Sequence, residues 1–184
     1  MTLTEFSAQL RLLLNETQEG RPLLCEGNPF DCSVAVVGIN PATTTPFWPY
    51  WTDSSGMDRV AWIDAYKSMH GGFKRSRSAL ERFIPQIQAK VVEVNAHVQP
   101  SKRLADLQRQ HCTSYVMDFL LTAIKPSVIV YAGVAALNAG EKLPLDWHPV
   151  VIPARHFIHW GKQYESELAR QVNDALAHAQ TMSP

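Results

Sequence analysis

The chain is poor in cysteine. Its three, Cys25, Cys32 and Cys112, form no CxxC pair, and no two histidines lie at finger spacing to complete a metal site with them. Reduced thiols packed as small hydrophobes are the expectation, and neither metal nor cofactor is expected. Neither sign of charge is in excess: 17 Lys and Arg balance 17 Asp and Glu. No global field therefore advertises nucleic acid or a membrane as partner, although a local basic groove fits inside a neutral total. No apolar run approaches a bilayer span, and MTLTEFSAQLRLLLNE reads as an amphipathic helix without a basic leader region. A soluble, cytoplasmic monomer is the expectation. Repeats and low-complexity tracts are absent. So are GxxxxGK[ST], GxGxxG and GxSxG, which argues against a P-loop kinase, a dinucleotide-binding dehydrogenase and a serine hydrolase of the nucleophile-elbow type.

What is present fits one domain over residues 1–184, with 46% apolar residues and room for one sizeable core. Phe6, Leu10, Leu13 and Leu14 recur at helical spacing, predicting a helix from Thr4 to about Gln18. Val34–Ile39 is short, β-branched and wholly apolar, the pattern of a strand covered on both faces. An irregular stretch, 41–55, follows, then two helical patterns on either side of Gly71-Gly72. Val91–Val94 reads as a second strand, 103–125 as a long helix, SVIVYAG as a third strand and VAALNAG as a short helix. His148–Ile152 makes a fourth strand closed by Pro153, and a last helix runs from about Lys162 to Ala179. Short apolar strands alternating with helices predict an α/β fold: three layers, α/β/α, around a four-stranded parallel sheet.

In such sheets ligands bind beyond the carboxyl ends of the strands. The residues leaving those ends are Asn40 and Pro41, then Asn95, Ala96 and His97, then Gly133, and finally Ala154, Arg155, His156 and Phe157.

GINP at Gly38–Pro41, EVNAHVQPS at Glu93–Ser101, IKPSVIVYAGVAAL at Ile124–Leu137 and VIPARHF at Val151–Phe157 follow one another in that order. Together they resemble the uracil-DNA glycosylase superfamily, nearest its mismatch-specific uracil/thymine branch, over about residues 33–178. The resemblance implies that family's fold and chemistry: a nucleotide is flipped from DNA and the bond between base and sugar is hydrolysed without a metal. It implies Asn40 as the residue orienting water beneath the sugar and Asn95 as the amide reading the base edge. Gly38, Ile39 and Pro41 would line the base site. One of Phe47, Trp48, Tyr50 or Trp51 would stack on the flipped ring. Ala154, Arg155, His156 and Phe157 fall on the loop that carries the family's wedge, and His156 is the candidate second catalytic group.

Departures from the pattern are visible. Ala42 stands where the family has glycine, Ile152 where it has His or Asn, and Ala154 where it has Ser. Ile152 has no donor for a developing base anion. Three cysteines do not supply the four that iron–sulfur members use. Each residue also has a plainer reading: Asn40-Pro41 as a strand-ending turn, Asn95 as a turn residue, the aromatics at 47–51 as a lid over the core, and His156 and His159 on a solvated turn. Lys74, Arg75 and Arg77 form the densest basic patch, with Lys102 and Arg103 a second; each is a solvated face or a phosphate contact. The leading expectation is a glycosylase acting on a damaged or mismatched pyrimidine in single- or double-stranded DNA. The alternatives are a catalytically silent relative that binds nucleic acid or a free nucleobase, and an enzyme cleaving a small N-glycoside.

Overall fold

A computed structural model of the chain describes residues 1–14, 20–101 and 114–181. It is an α/β protein whose five-stranded, mostly parallel sheet lies between two helical layers. The strands are β1 (Leu23–Leu24), β2 (Val34–Gly38), β5 (Val91–Asn95), β6 (Val128–Ala132) and β7 (Val150–Ala154), in the order β1-β5-β2-β6-β7. A separate hairpin pairs β3 (Trp51–Thr52) with β4 (Gly56–Met57). The helices are α1 (Leu3–Leu14), α2 (Arg59–His70), α3 (Arg75–Phe83), α4 (Tyr115–Ile124), α5 (Val134–Gly140) and α6 (Lys162–Thr181).

The period of two in β2 sorts its side chains between the layers. Val34 and Val36 pack with α3 and α6, while Ala35 and Val37 pack with α1, α2 and α4. All five residues of β2, β5 and β6 are buried, which is why these strands read as unbroken apolar runs. α1 turns Phe6, Leu10 and Leu14 inward at helical spacing. α2 starts where the Asp58 carboxylate accepts from the Ala61 N–H at 2.9 Å, and stops at Gly71, whose φ of 66° suits glycine.

Three expectations are corrected. The sheet has five strands rather than four, because Leu23–Leu24 pairs antiparallel with β5; two residues carry too short a pattern to read. The stretch 41–55 is not wholly irregular, since it contains a 3-10 turn at Trp48–Tyr50 and the first strand of the hairpin. Pro153 lies within β7 rather than closing it. The edge position explains the tolerance. Val150 donates to Ser127 O at 2.9 Å and Ala154 O accepts from Gly133 at 2.8 Å, so the even-numbered residues face β6. Pro149 and Pro153, which have no N–H, flank Val151 on the open side. Of the long helix expected over 103–125, the described part is α4; Lys102, Arg103 and Cys112 lie outside the described residues.

Among its parallel strands the order is second, first, third, fourth: the connection from β2 returns to β5 through α3 in one layer, and those on to β6 and β7 pass through α4 and α5 in the other. The crevice at that reversal is where this architecture presents ligands.

Candidate functional site

The loops leaving β2 and β5 run side by side past the sheet. Ala96 donates to Gly38 O at 2.9 Å and His97 to Ile39 O at 2.8 Å. Pro41 is buried and its carbonyl accepts from the Ser101 N–H at 2.9 Å. Asn40 is tied to the same residue: its Nδ2 donates to Ser101 O at 2.8 Å, to Ser101 Oγ at 3.2 Å and to Pro41 O at 3.1 Å. The amide N–H groups are thus committed to the scaffold. Oδ1 takes no hydrogen bond from the described residues and is left as a fixed acceptor. An amide oxygen held this way can orient water by one hydrogen but cannot remove a proton.

Asn95 closes β5 and is 4% exposed. Its Nδ2 is buried without a hydrogen-bond partner among the described residues. An unmet buried donor costs about 1–3 kcal/mol, so a group that could answer it would be held firmly. Beside it is Gly38. A β-carbon there would lie 3.1 Å from Asn95 Oδ1 and 2.9 Å from Phe157 Cε2, so only glycine lets the amide and the ring approach the strand together. The ring is braced by edge contacts, Phe157 to Trp160 and Trp160 to Phe83, each with centroids 5.1 Å apart. Phe157 therefore packs inward as a wall over Gly38 and is not the outward wedge suggested by its place in the loop.

The rest of that loop divides its tasks. Ala154 ends β7 and packs toward α6. His156 is half-buried against Gly133, and its Nδ1 accepts from the Ile158 N–H at 3.4 Å, capping the 3-10 turn Phe157–His159. Burial, with the nearby His159 charge, lowers its pKa and favours the neutral ring. With Nδ1 accepting, the neutral ring carries its proton on Nε2, which makes that atom a donor. Arg155 is exposed, with its guanidinium 5.1 Å from the Tyr164 ring centroid. Ile152, partly buried among the residues packed on α6, has no polar atom to offer.

The aromatic segment is built into the core rather than standing open. Phe47 is completely buried, with Trp48 at 4.9 Å and Trp51 at 5.4 Å between centroids. Arg11 covers the Trp48 ring at 4.6 Å, and Trp51 Nε1 donates to Ser7 Oγ at 3.0 Å and to Asp53 at 3.2 Å. The segment is docked on α1. Phe47 is thereby removed as a stacking platform, and Trp48 has one face occupied; Tyr50 is half-buried.

The basic patch is corrected as well. Arg77 is buried and binds Glu93 Oε1 at 2.7 Å and Glu81 Oε1 at 3.2 Å, so it is no phosphate contact; Lys74 and Arg75 are exposed. Arg59 and Arg21 complete a buried ionic cluster around Glu93, at 3.5 and 3.4 Å. Arg21 and Arg77 each lie 5.3 Å from the Trp62 ring centroid. Burial alone would raise the Glu93 carboxyl, but Arg77, Arg21 and Arg59 together bring it down to about 2. The sign of this cluster in the sequence was a glutamate in the middle of an apolar strand, VVEVN, two residues before Asn95 and on the same face.

Cys25 and Cys32 are free and buried. No group of three His, Cys, Asp or Glu among the described residues is placed to hold a metal ion, and none of their helices is long and apolar enough to cross a membrane. In comparisons with known families and with curated proteins, no family model and no curated protein matches the chain.

Proposed function

We propose that the protein is a DNA-base glycosylase of the uracil-DNA glycosylase type, acting on a damaged or mismatched pyrimidine without a metal. The observation that carries this reading is the buried amide nitrogen of Asn95, unpartnered among the described residues, beside Gly38 and the Phe157 ring at the strand ends. A side-chain amide offers one donor and one acceptor in a plane, which suits the pairing edge of a pyrimidine, and a braced ring supplies the apolar wall. Asn40 Oδ1 holds the attacking water, and the His156 Nε2–H is the donor available to the departing base. With no carboxylate on the Gly38–Pro41 segment to accept the water's proton, catalysis rests on fixed dipoles stabilising a cationic sugar and an anionic base, and is slow.

A second reading, a relative that binds a base without cleaving it, is favoured by Ile152, which offers no donor where the family has one. Strand cleavage after alkali separates the two. The substrates are single- and double-stranded oligonucleotides carrying uracil, thymine opposite guanine, hypoxanthine or an oxidised pyrimidine. Cleavage of one of these, abolished by Asn40→Ala in a protein that still folds, supports the glycosylase. Binding of the base without cleavage at high enzyme supports the silent relative.

A further inference from the structure

We propose that Cys25 and Cys32 form a redox modification site, in which a peroxide joins them as a disulfide that staples the loop crossing the head of β5. The site lies at the opposite end of the strands from Asn40 and Asn95, and nothing in it depends on the glycosylase reading.

The chain leaves β1 on one side of β5 and enters β2 on the other, so residues 26–31 bridge the start of β5. Cys25 and Cys32 stand at the two ends of that bridge. Its fold is tight. Gly27 turns it with a φ of 71°, Asn28 Oδ1 accepts from the Phe30 N–H at 3.0 Å, and the Cys32 N–H donates to Pro29 O at 3.1 Å. Ser33 and Val34 then donate to the carbonyl of Lys90, the residue before β5, at 3.2 and 3.4 Å. Both cysteines turn into the same core layer, at 0% and 3% exposure, and both thiols are free. The two thiols are hydrogen-bonded to each other.

Their surroundings give the two sulfurs different roles. Cys25 donates to Gly27 O at 3.4 Å, and the Cys32 thiol together with burial raises its pKa, so it holds its proton. Cys32 lies nearer the surface, beside the half-exposed ion pair of Lys90 and Asp31, which meet at 2.8 Å. Lys90 thus brings a positive charge close to both sulfurs, and such a charge favours attack by a thiolate. Hydrogen peroxide, small and uncharged, is the oxidant so nearly closed a site admits. The Cys32 sulfur attacks one peroxide oxygen, the O–O bond breaks, and the released hydroxide takes the Cys32 proton as water. Cys32 is then a sulfenic acid. The Cys25 sulfur attacks the Cys32 sulfur, the S–O bond breaks, and the departing hydroxide leaves with the Cys25 proton as a second water. Two thiols are oxidised to one disulfide and one peroxide is reduced to two waters. The new bond closes a loop whose ends belong to two strands, and so pins the short β1 to the sheet.

The test treats the full folded chain with hydrogen peroxide, removes the oxidant, and alkylates the thiols in urea before tryptic mass mapping. No Lys or Arg lies between Cys25 and Cys32, so both fall in one peptide, while Cys112 falls in another. We expect the shared peptide to take up neither alkyl group and to be lighter by two hydrogens, and dithiothreitol to restore both thiols. The urea midpoint of the oxidised chain should rise, and return on reduction. Cys25→Ser should leave a sulfenic acid that dimedone traps at Cys32, and Cys32→Ser should leave Cys25 unmodified. Oxidation of the exposed Met69 in the same digest shows that the peroxide acted. Full alkylation of the shared peptide beside an oxidised Met69 would overturn the proposal. So would a disulfide that forms only when peroxide is added in urea, or a bridge to Cys112 in place of the pair. The mapping is read on the unaltered chain, so it decides the matter even where a serine variant fails to fold.

Discussion

The Phe157 ring edge and the Asn95 amide oxygen lie 2.9 Å and 3.1 Å from the point that a Gly38 β-carbon would occupy. One missing methyl group thus lets the ring and the amide meet at the strand end. Gly38→Ala would force the ring and the amide apart, at a stability cost of about 1–3 kcal/mol for overpacking. On the proposed function, base binding should fall more steeply than stability, because the displaced groups are the proposed recognition elements. Urea denaturation and uracil titration on the same preparation measure both.

Two buried polar groups are left unmet among the described residues: Asn95 Nδ2 and the Tyr131 hydroxyl. Burial raises the Tyr131 hydroxyl to about 12, so it remains protonated and unpaired beneath α5. Tyr131→Phe and Asn95→Leu should each leave stability unchanged or raise it by about 1 kcal/mol, since each removes an unsatisfied group. Only Asn95→Leu should abolish base binding. A thermal melt with a binding assay on the two variants tests whether the orphan at the strand end is functional and the other is not.

Glu93 should matter to folding rather than to chemistry. Glu93→Gln strips the charge that Arg77, Arg59 and Arg21 share, and the expected loss is about 3–5 kcal/mol, read by urea denaturation. The same pairing predicts the acid limb of stability. The folded carboxyl titrates at about 2 against 4.5 in the unfolded chain, so the contribution is complete above the unfolded value. It is lost as pH falls through that interval toward 2. A denaturation series across this range should show a slope that Glu93→Gln flattens.

The cleavage assay has a predicted pattern of its own. Asn40→Ala removes the proposed acceptor for water and also the ties to Ser101, so cleavage should be lost while base binding falls only in part. Ser101→Ala removes one of three acceptors around Nδ2 and keeps the backbone bonds, and its cleavage rate should drop by less than that of Asn40→Ala. Single-turnover kinetics on the two variants distinguishes them.

The parts legible in the sequence are those whose physics is local. β2, β5 and β6 show as apolar runs because both faces are covered, and α5 shows by its flanking glycines. Asn40, Asn95 and Phe157 stand out in the sequence by their places at strand ends, and the structure brings Asn95 and Phe157 together at Gly38. The hidden parts depend on distant partners. Phe47 and Trp48 look exposed among prolines until Arg11 and Ser7, far back in the chain, are brought beside the same segment. Arg77 reads as a surface cation until Glu93 arrives from another element. β1 is a strand only because β5 is there to pair with it.

The two prolines beside Val151 bear on how copies of this protein meet one another. A strand reaching the free side of β7 from another molecule would find one backbone donor, that of Val151, between two positions that cannot donate. The opposite border is a strand of only two residues, Leu23–Leu24. Neither border is a template on which sheets of successive molecules can extend. The strand end that carries Asn95 thus sits on a sheet whose margins resist the fibrous growth to which exposed edges are prone, even though Val150 and Val151 leave apolar surface at one of them.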